Sequence, residues 1–570
     1  MQQTKPSRIL SVLILTGFYA LLSACSPAEQ STPATSDSQI AVQQAAVAMP
    51  DSFSADAARA ILEKGGNAVD AAITAQFVLA VTLPEAGNIG GGGFMLIHKD
   101  QQNDFIDYRE KAPLKAHRDM YLDENGDVVP YQSVIGILAS GVPGTVAGMW
   151  LAHQKHGSLP WAELLQPAVV LAEQGFVVPE KLGGYIERHI ARLAKGGFEV
   201  NFKDYFAAAK SGEVFVQPEL AATLKRIRDQ GQAGFYAGET ARLIADFMAK
   251  HNGLIGLDDL AAYQAVSRQP ILADWRDYQL LTAPPPSSGG IAIIQWLKMY
   301  ELLSAGQPPL AHNSAAYIHL LAEVGKRVFA DRAEYLGDPD FVEVPVEALT
   351  TREYLAGRVA DISADKISAT ESIKPGLKES EETTHFSIID KWGNGVSNTT
   401  TINLGFGSSV VVEGAGFLLN DEMDDFSAKP GVANAFGAVG GTANEIQPQK
   451  RMLSSMTPSM VLKDGNISMI TGSPGGTTII SSVYESILNA LEFNMSAQQT
   501  VDSPRFHHQL LPKDQIRHHP GLAPEVVQQL QQMGYILNDS RFGDMHVILN
   551  RDGTLEAGSE ASGRGKAMVF

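Results

Sequence analysis

Thr383 heads a stretch whose composition reads as a β-hairpin. An apolar strand covers residues 386–390, a turn falls at Lys391-Trp392-Gly393-Asn394-Gly395, and a second strand runs over 396–404. A turn centred near Gly393 puts Asn403 opposite Thr383, with Thr401 diagonal to it. Cross-strand partners and residues two apart point the same way, so the three share one face. A threonine facing a hydroxyl and an amide is a candidate nucleophile site, and the same residues also suit an ordinary polar hairpin. A second chemical signal is Gly472-Ser473-Pro474-Gly475-Gly476-Thr477, between a predicted strand over 467–471 and a predicted helix over 478–491. Glycines at such a junction expose backbone N–H groups where the helix dipole favours an anion. Gly475 and Gly476 are therefore candidate oxyanion donors.

Other polar groups are ambiguous by themselves. Arg109, in Tyr108-Arg109-Glu110, reads as a surface arginine paired with Glu110. The acidic run Asn420-Asp421-Glu422-Met423-Asp424-Asp425 reads as a solvated loop, and its spacing does not fit an EF-hand. Ser454 and Ser455 add two hydroxyls. His507-His508 and His518-His519 have no metal-ligand spacing, so no metal is expected. The four glycines Gly90 to Gly93 lack a following Lys-Ser or Lys-Thr, which excludes a phosphate loop and points to close backbone packing. No G-x-S-x-G elbow occurs.

The elements that must position these residues lie in a chain of 570 residues, 44% hydrophobic and 19% charged, enough for a large globular core. A net charge of −19 argues against a nucleic-acid partner. Residues 1–24 read as an export signal, with Lys5 and Arg8 before an apolar run over 9–22 that is short for a membrane span. Leu22-Ser23-Ala24-Cys25 resembles a bacterial lipobox, and Cys25 is the single cysteine, so lipidation at Cys25 is expected. Residues 25–40 read as a flexible tether and the folded part starts near Ala41. Ser54 is the expected cap of a first helix ending at Gly65-Gly66, followed by an alanine-rich helix over 67–81. Mostly amphipathic helices follow to about Val266, and residues 363–382 read as a polar tail with little to bury.

Glu382-Thr383-Thr384-His385-Phe386-Ser387 resembles the processing site of the γ-glutamyltranspeptidases, which are N-terminal-nucleophile hydrolases. The likeness runs from about Ala41 to the C-terminus. It includes residues 84–96, Tyr108-Arg109-Glu110, residues 140–148, residues 331–339, the acidic run, residues 451–458 and residues 472–477. The resemblance implies an α/β fold, an αββα sandwich built from two autoprocessed subunits of one precursor. Cleavage between Glu382 and Thr383 would give a large subunit, 41–382, and a small catalytic subunit, 383–570. Thr383 would be the nucleophile and Thr401 would orient it. Arg109, Ser454 and Ser455 would hold the substrate's α-carboxylate. Asp425, with Asn403 and Glu422, would hold its α-ammonium.

The chemistry is self-consistent. An α-amino group titrates near about 7.7–8.0, against about 10.4 for lysine, so an N-terminal threonine carries its own general base once cleavage has freed its nitrogen. The implied reaction moves the γ-glutamyl group of glutathione or a related compound to water or to an amino acid or peptide amine, with no cofactor. Residues 430–447 resemble the family's lid, with Phe436 where some relatives carry tyrosine, and the C-terminal segment lacks an Asp-Pro-Arg sequence. Rival readings are a cephalosporin or glutaryl acylase of the same fold and a non-catalytic surface lipoprotein that binds glutamyl compounds.

Overall fold

The computed structural model describes residues 44–87, 89–373, 383–427 and 441–570. The expected signal segment, tether, Cys25, Glu382 and Phe436 lie outside the described residues. Two antiparallel sheets carry the architecture. The first contains β1 (Ala46–Met49), β2 (Gly92–Lys99), β3 (Gln102–Asp107), β4 (Val266–Arg268), β7 (Thr383–Ile389), β8 (Gly395–Thr401) and β13 (Lys566–Val569). Its spatial order is β13-β1-β7-β8-β2-β3-β4. The second holds β5 (Ile271–Trp275), β6 (Tyr278–Thr282), β9 (Ser459–Lys463), β10 (Asn466–Thr471), β11 (His546–Arg551) and β12 (Thr554–Ser559), in the order β12-β11-β10-β9-β6-β5.

Side-chain alternation along the strands sorts the core into layers. Ala46, Ala48, Phe94 and Leu96 pack with Met460, Ile470 and Val547 of the other sheet. Their neighbours Val47, Met49, Met95 and Ile97 face α1 (Ser52–Glu63) and α2 (Ala68–Thr82). Helices α3 (Gly289–Ser304), α4 (Ala315–Tyr335) and α5 (Thr478–Leu491) supply Ile293, Trp296, Val328 and Ile480 to the core of the second sheet. The result is a helix–sheet–sheet–helix stack. Asp51, not Ser54, caps α1: its carboxylate accepts from Ser54 N at 2.7 Å, and the helix starts three residues earlier than a Ser54 cap implied.

The central hairpin forms, with a register one pair different from that expected. Thr401, not Asn403, lies opposite Thr383, and Ile389 lies opposite Gly395. The turn centres on Trp392 because the Asp390 carboxylate accepts from both Trp392 N and Asn394 N. Asn403 falls past the last pair, in a left-handed conformation at φ 74°. The glycine run explains how close β8 can come to its neighbour. A Cβ on Gly91 would sit 2.0 Å from the Thr401 carbonyl oxygen, and one on Gly93 would sit 2.4 Å from that of Thr399.

Candidate active site

Thr383, His385 and Ser387 alternate onto the inter-sheet face of β7, opposite Thr401, Thr399 and Ser397 of β8. This face is polar and tied down. Ser387 Oγ donates to the His546 carbonyl at 2.9 Å, and Ser397 Oγ donates to that of Thr471 at 3.2 Å. The Thr383 and Thr401 hydroxyl oxygens lie 3.5 Å apart, and Thr401 Oγ1 also accepts from Asn403 N at 2.7 Å. Asn403 Nδ2 donates to the Asp421 carbonyl at 3.0 Å, which anchors the acidic run to the end of β8.

His385, two residues from Thr383, is fully buried, and burial together with His546 pushes its pKa well below the ordinary value. Its ring nitrogens meet Thr399 Oγ1 at 2.9 Å and Ser387 Oγ at 3.0 Å. The ring also packs into the space left by Gly472, where a Cβ would lie 2.3 Å from it. His385 is therefore a neutral spacer between the hairpin and the glycine loop. Its position was legible from strand alternation, its role was not.

Arg109 is 1% exposed and buried among acids. Its guanidinium donates to Glu422, to Asp425 at 2.5 Å and to the carbonyls of Met452 and Leu453 at 3.3 and 3.2 Å, with Glu110 at 3.6 Å. Burial works against the charge, but Glu422, Asp425 and Glu110 hold Arg109 protonated. Burial raises the pKa of Glu110, Glu422 and Asp425 in turn, and Arg109 opposes each shift. Glu110 is thus a partner, as the bare sequence implied, but in the interior rather than at the surface. Glu422 Oε2 and Asp425 Oδ1 are buried oxygens with no hydrogen bond among the described residues. They are ready acceptors for a cation.

Ser454 and Ser455 lie beside Arg109, and each hydroxyl already accepts one hydrogen bond. Ser454 Oγ accepts from Met456 N at 3.1 Å, and Ser455 Oγ accepts from Arg332 Nη2 at 3.1 Å. A hydroxyl that already accepts is left to donate, which suits an anion. Arg332 also donates to Ser288 Oγ at 2.8 Å, and Ser288 donates to the Ser454 carbonyl at 2.7 Å. Burial lowers Arg332 to about 9, with Asp425 opposing. No role is assigned to this second guanidinium from sequence. The family likeness over residues 331–339 was the available signal.

Gly475 and Gly476 take φ of 125° and 56° just before α5. Among the described residues, no acceptor takes either N–H. Arg109, Thr383, Thr401, Asn403, Glu422, Asp425, Ser454, Ser455 and Gly476 line one cavity with room for about one water, 10 Å³. Gly475 and Thr383 line a larger cleft beyond it. Nine of the ten described candidate residues thus meet at one point, with the tenth adjoining. Asn420, assigned no role from sequence, is the hub beneath: it accepts from Gly141 N and Glu422 N and donates to the carbonyls of Gly90 and Gly141. The histidine pairs serve other contacts: His507 meets Ser481 Oγ at 2.7 Å, and His519 meets the Phe542 carbonyl at 2.9 Å.

Comparison with known proteins bears on this geometry. Residues 54–570 match the γ-glutamyltranspeptidase family. A glutathione hydrolase proenzyme of Pseudomonas aeruginosa is 52% identical over 528 residues, 92% of this chain and 94% of that protein. The crystal structure of a cephalosporin acylase from Bacillus halodurans superposes with a TM-score of 0.82 at 26% identity, covering 95% of this chain and 98% of that one. A γ-glutamyltranspeptidase from Pseudomonas nitroreducens complexed with L-DON aligns at 52% identity and a TM-score of 0.55, covering 57% of this chain and 97% of that one.

Proposed function

Because this chain belongs to the γ-glutamyltranspeptidase family, we propose that it cuts itself before Thr383 and then transfers the γ-glutamyl group of glutathione and related compounds. The observation that carries the reading is the single cavity shared by Thr383, Arg109, Asp425 and the serine pair. Residues 41–382 form the large subunit and 383–570 the small one. Cleavage converts the Thr383 nitrogen from an amide into an amine. That amine takes the hydroxyl proton as Oγ1 attacks the γ-glutamyl carbonyl. His385 is no rival base, since both its nitrogens are engaged with Thr399 and Ser387.

The N–H groups of Gly475 and Gly476 stabilise the oxyanion, and Thr401 orients the nucleophile. As the tetrahedral intermediate collapses, the departing amine takes the proton and a γ-glutamyl ester remains on Thr383. Water, or the amine of an amino acid or peptide, then attacks the ester and restores the free threonine. No cofactor enters these steps.

In substrate recognition, the α-carboxylate meets Arg109, Ser454 and Ser455, and the α-ammonium meets Asp425, Glu422 and Asn403. In the free site Arg109 and Asp425 bond to each other. A zwitterion inserted between them replaces one ion pair by two without changing the charge of the site. A glutaryl group, as an acylase would use, brings only the carboxylate and strands Asp425. This is why the acylase reading ranks second despite the likeness to a cephalosporin acylase.

Cys25 carries a lipid anchor that holds the enzyme to the bacterial envelope, facing the periplasm. The test of the reading is Thr383→Ala, expected to remain one uncut chain without activity on a γ-glutamyl anilide. A cut and active Thr383→Ala protein would overturn it.

A further inference from the structure

Ser454 and Ser455 line the small cavity, and neither hydroxyl donates to any group among the described residues. A serine hydroxyl rotates freely, so an acceptor on the far side would turn its proton away from the cavity. Behind the pair, on that far side, stands a donor instead. Arg332, in the last turn of α4, is 1% exposed and is not part of the cavity wall.

Two relays leave its guanidinium. In the first, Nη2 donates to Ser455 Oγ at 3.1 Å. That bond takes a lone pair on the rear of the oxygen and leaves the Ser455 proton to point the other way, into the cavity. In the second, Nε donates to Ser288 Oγ at 2.8 Å, and Ser288 Oγ donates to the Ser454 carbonyl at 2.7 Å. The same carbonyl accepts from Ser288 N at 2.7 Å, and Ser454 N donates to the Pro286 carbonyl at 3.0 Å. Ser287 Oγ adds a bond to the Met456 carbonyl at 2.7 Å. Gly289 allows so close an approach, since a Cβ there would lie 1.7 Å from Thr457 Oγ1. The turn before α3 is thus joined to the backbone of the serine pair, and Arg332 ties that turn to α4.

The serines matter because Arg109 is already surrounded. Glu110, Glu422 and Asp425 all lie against it, so an arriving carboxylate would be the fourth carboxyl around one guanidinium. Two aimed hydroxyls supply what Arg109 has little capacity left to give. A hydroxyl that accepts from a cation is itself a stronger donor, which favours arginine over a neutral group in this place. Burial lowers Arg332 only to about 9, so it is still charged at neutral pH.

We propose that Arg332 is a positioning residue for donor recognition: without touching the substrate, it aims the Ser454 and Ser455 hydroxyls at the α-carboxylate. The inference rests on the γ-glutamyl transfer proposed above. It deepens that reading by naming the group that makes the serine pair a carboxylate site.

The test is a ratio, so a change in overall rate does not disturb it. Cut wild type and cut Arg332→Met are compared on γ-glutamyl-p-nitroanilide and on 4-aminobutyryl-p-nitroanilide, which lacks only the α-carboxylate. The preference for the γ-glutamyl substrate in kcat/KM should fall at least about tenfold in the variant, the size of one charge-assisted hydrogen bond, with the loss in KM rather than kcat. In a Ser454→Ala/Ser455→Ala background the same substitution should change the preference by less than about threefold, because the hydroxyls it aims are gone. A merely structural Arg332 would slow both substrates alike. An unchanged preference, or an equal further loss in the background without the serines, overturns the proposal. Where Arg332→Met stays uncut, Ser288→Ala breaks one relay and leaves the guanidinium in place. Its preference should fall at least about threefold, and no fall would overturn the proposal equally. Failure of cut wild type to release p-nitroaniline at all is a different result: it removes the γ-glutamyl reading on which this role stands.

Discussion

Replacing Asp425 by alanine separates recognition of a zwitterion from every other feature of the site. Asp425 Oδ2 lies 2.5 Å from Arg109 Nη2, while its Oδ1 has no hydrogen bond among the described residues. The side chain is 7% exposed, so what it binds is desolvated. Removing one partner of a buried, hydrogen-bonded charge pair costs about 2–5 kcal/mol. At about 1.4 kcal/mol per decade this spans roughly 30-fold to several thousand-fold in kcat/KM. The low end applies here, because the free enzyme also loses its Arg109–Asp425 contact and so part of the cost is common to both states. Arg109 keeps Glu422 and Glu110, so folding and cleavage before Thr383 should persist. The assay compares a γ-glutamyl anilide with a glutaryl anilide. Asp425→Ala should lose at least about 30-fold on the first and nothing on the second. Normal turnover of the γ-glutamyl substrate by the variant, or a wild-type preference for the glutaryl one, would refute the reasoning and favour the acylase.

Three further outcomes follow from the same geometry. Gly475→Ala introduces a Cβ 2.2 Å from Thr478 Oγ1 at φ 125°, so kcat of cut protein should fall about 10²–10³-fold with little change in donor KM; an unchanged kcat would remove Gly475 from the oxyanion site. Asp424 is raised to about 7 by burial, against the hydrogen bond from Ser133. A raised carboxyl stabilises the fold fully below its unfolded value, about 3.9, and that contribution fades as pH climbs to about 7, by up to about 4 kcal/mol. The thermal midpoint of wild type should therefore fall relative to Asp424→Asn between pH 4 and 8, and a constant gap would contradict this. Cys25→Ala should release the protein from the membrane fraction, and a wild type that is fully soluble with an unmodified Cys25 would exclude the anchor.

What the sequence revealed was mostly local. The helix over 478–491 was readable to the residue, and the strand over 467–471 to within one residue, because glycines and apolar runs mark their own ends. The register of the central hairpin was not, because a carboxylate two residues from the tip, Asp390, decides where the turn closes. The polar segment after Ser363 also misled. Ser368 is gripped by Glu323, Lys326 and Arg327, partners some forty residues earlier that no local pattern reveals. Thr383, Thr401 and Asn403 were legible from strand alternation and Gly475 and Gly476 from the strand–helix junction, whereas Arg109, Glu422, Asp425, Ser454 and Ser455 came from motif resemblance. Arg332 and Asn420 escaped because each acts through contacts with distant segments, Ser288 and Ser455 for the one, Gly90 and Gly141 for the other.

The most direct test is the intact mass of the purified protein together with its N-terminal sequences. At 61.1 kDa over 570 residues, a residue averages about 107 Da, so residues 383–570 should appear as a chain of about 20 kDa and residues 26–382 as one of about 38 kDa before lipid is added. The smaller chain should begin Thr-Thr-His-Phe-Ser. A single active chain, or a small subunit beginning anywhere other than Thr383, would contradict an N-terminal threonine as nucleophile and base.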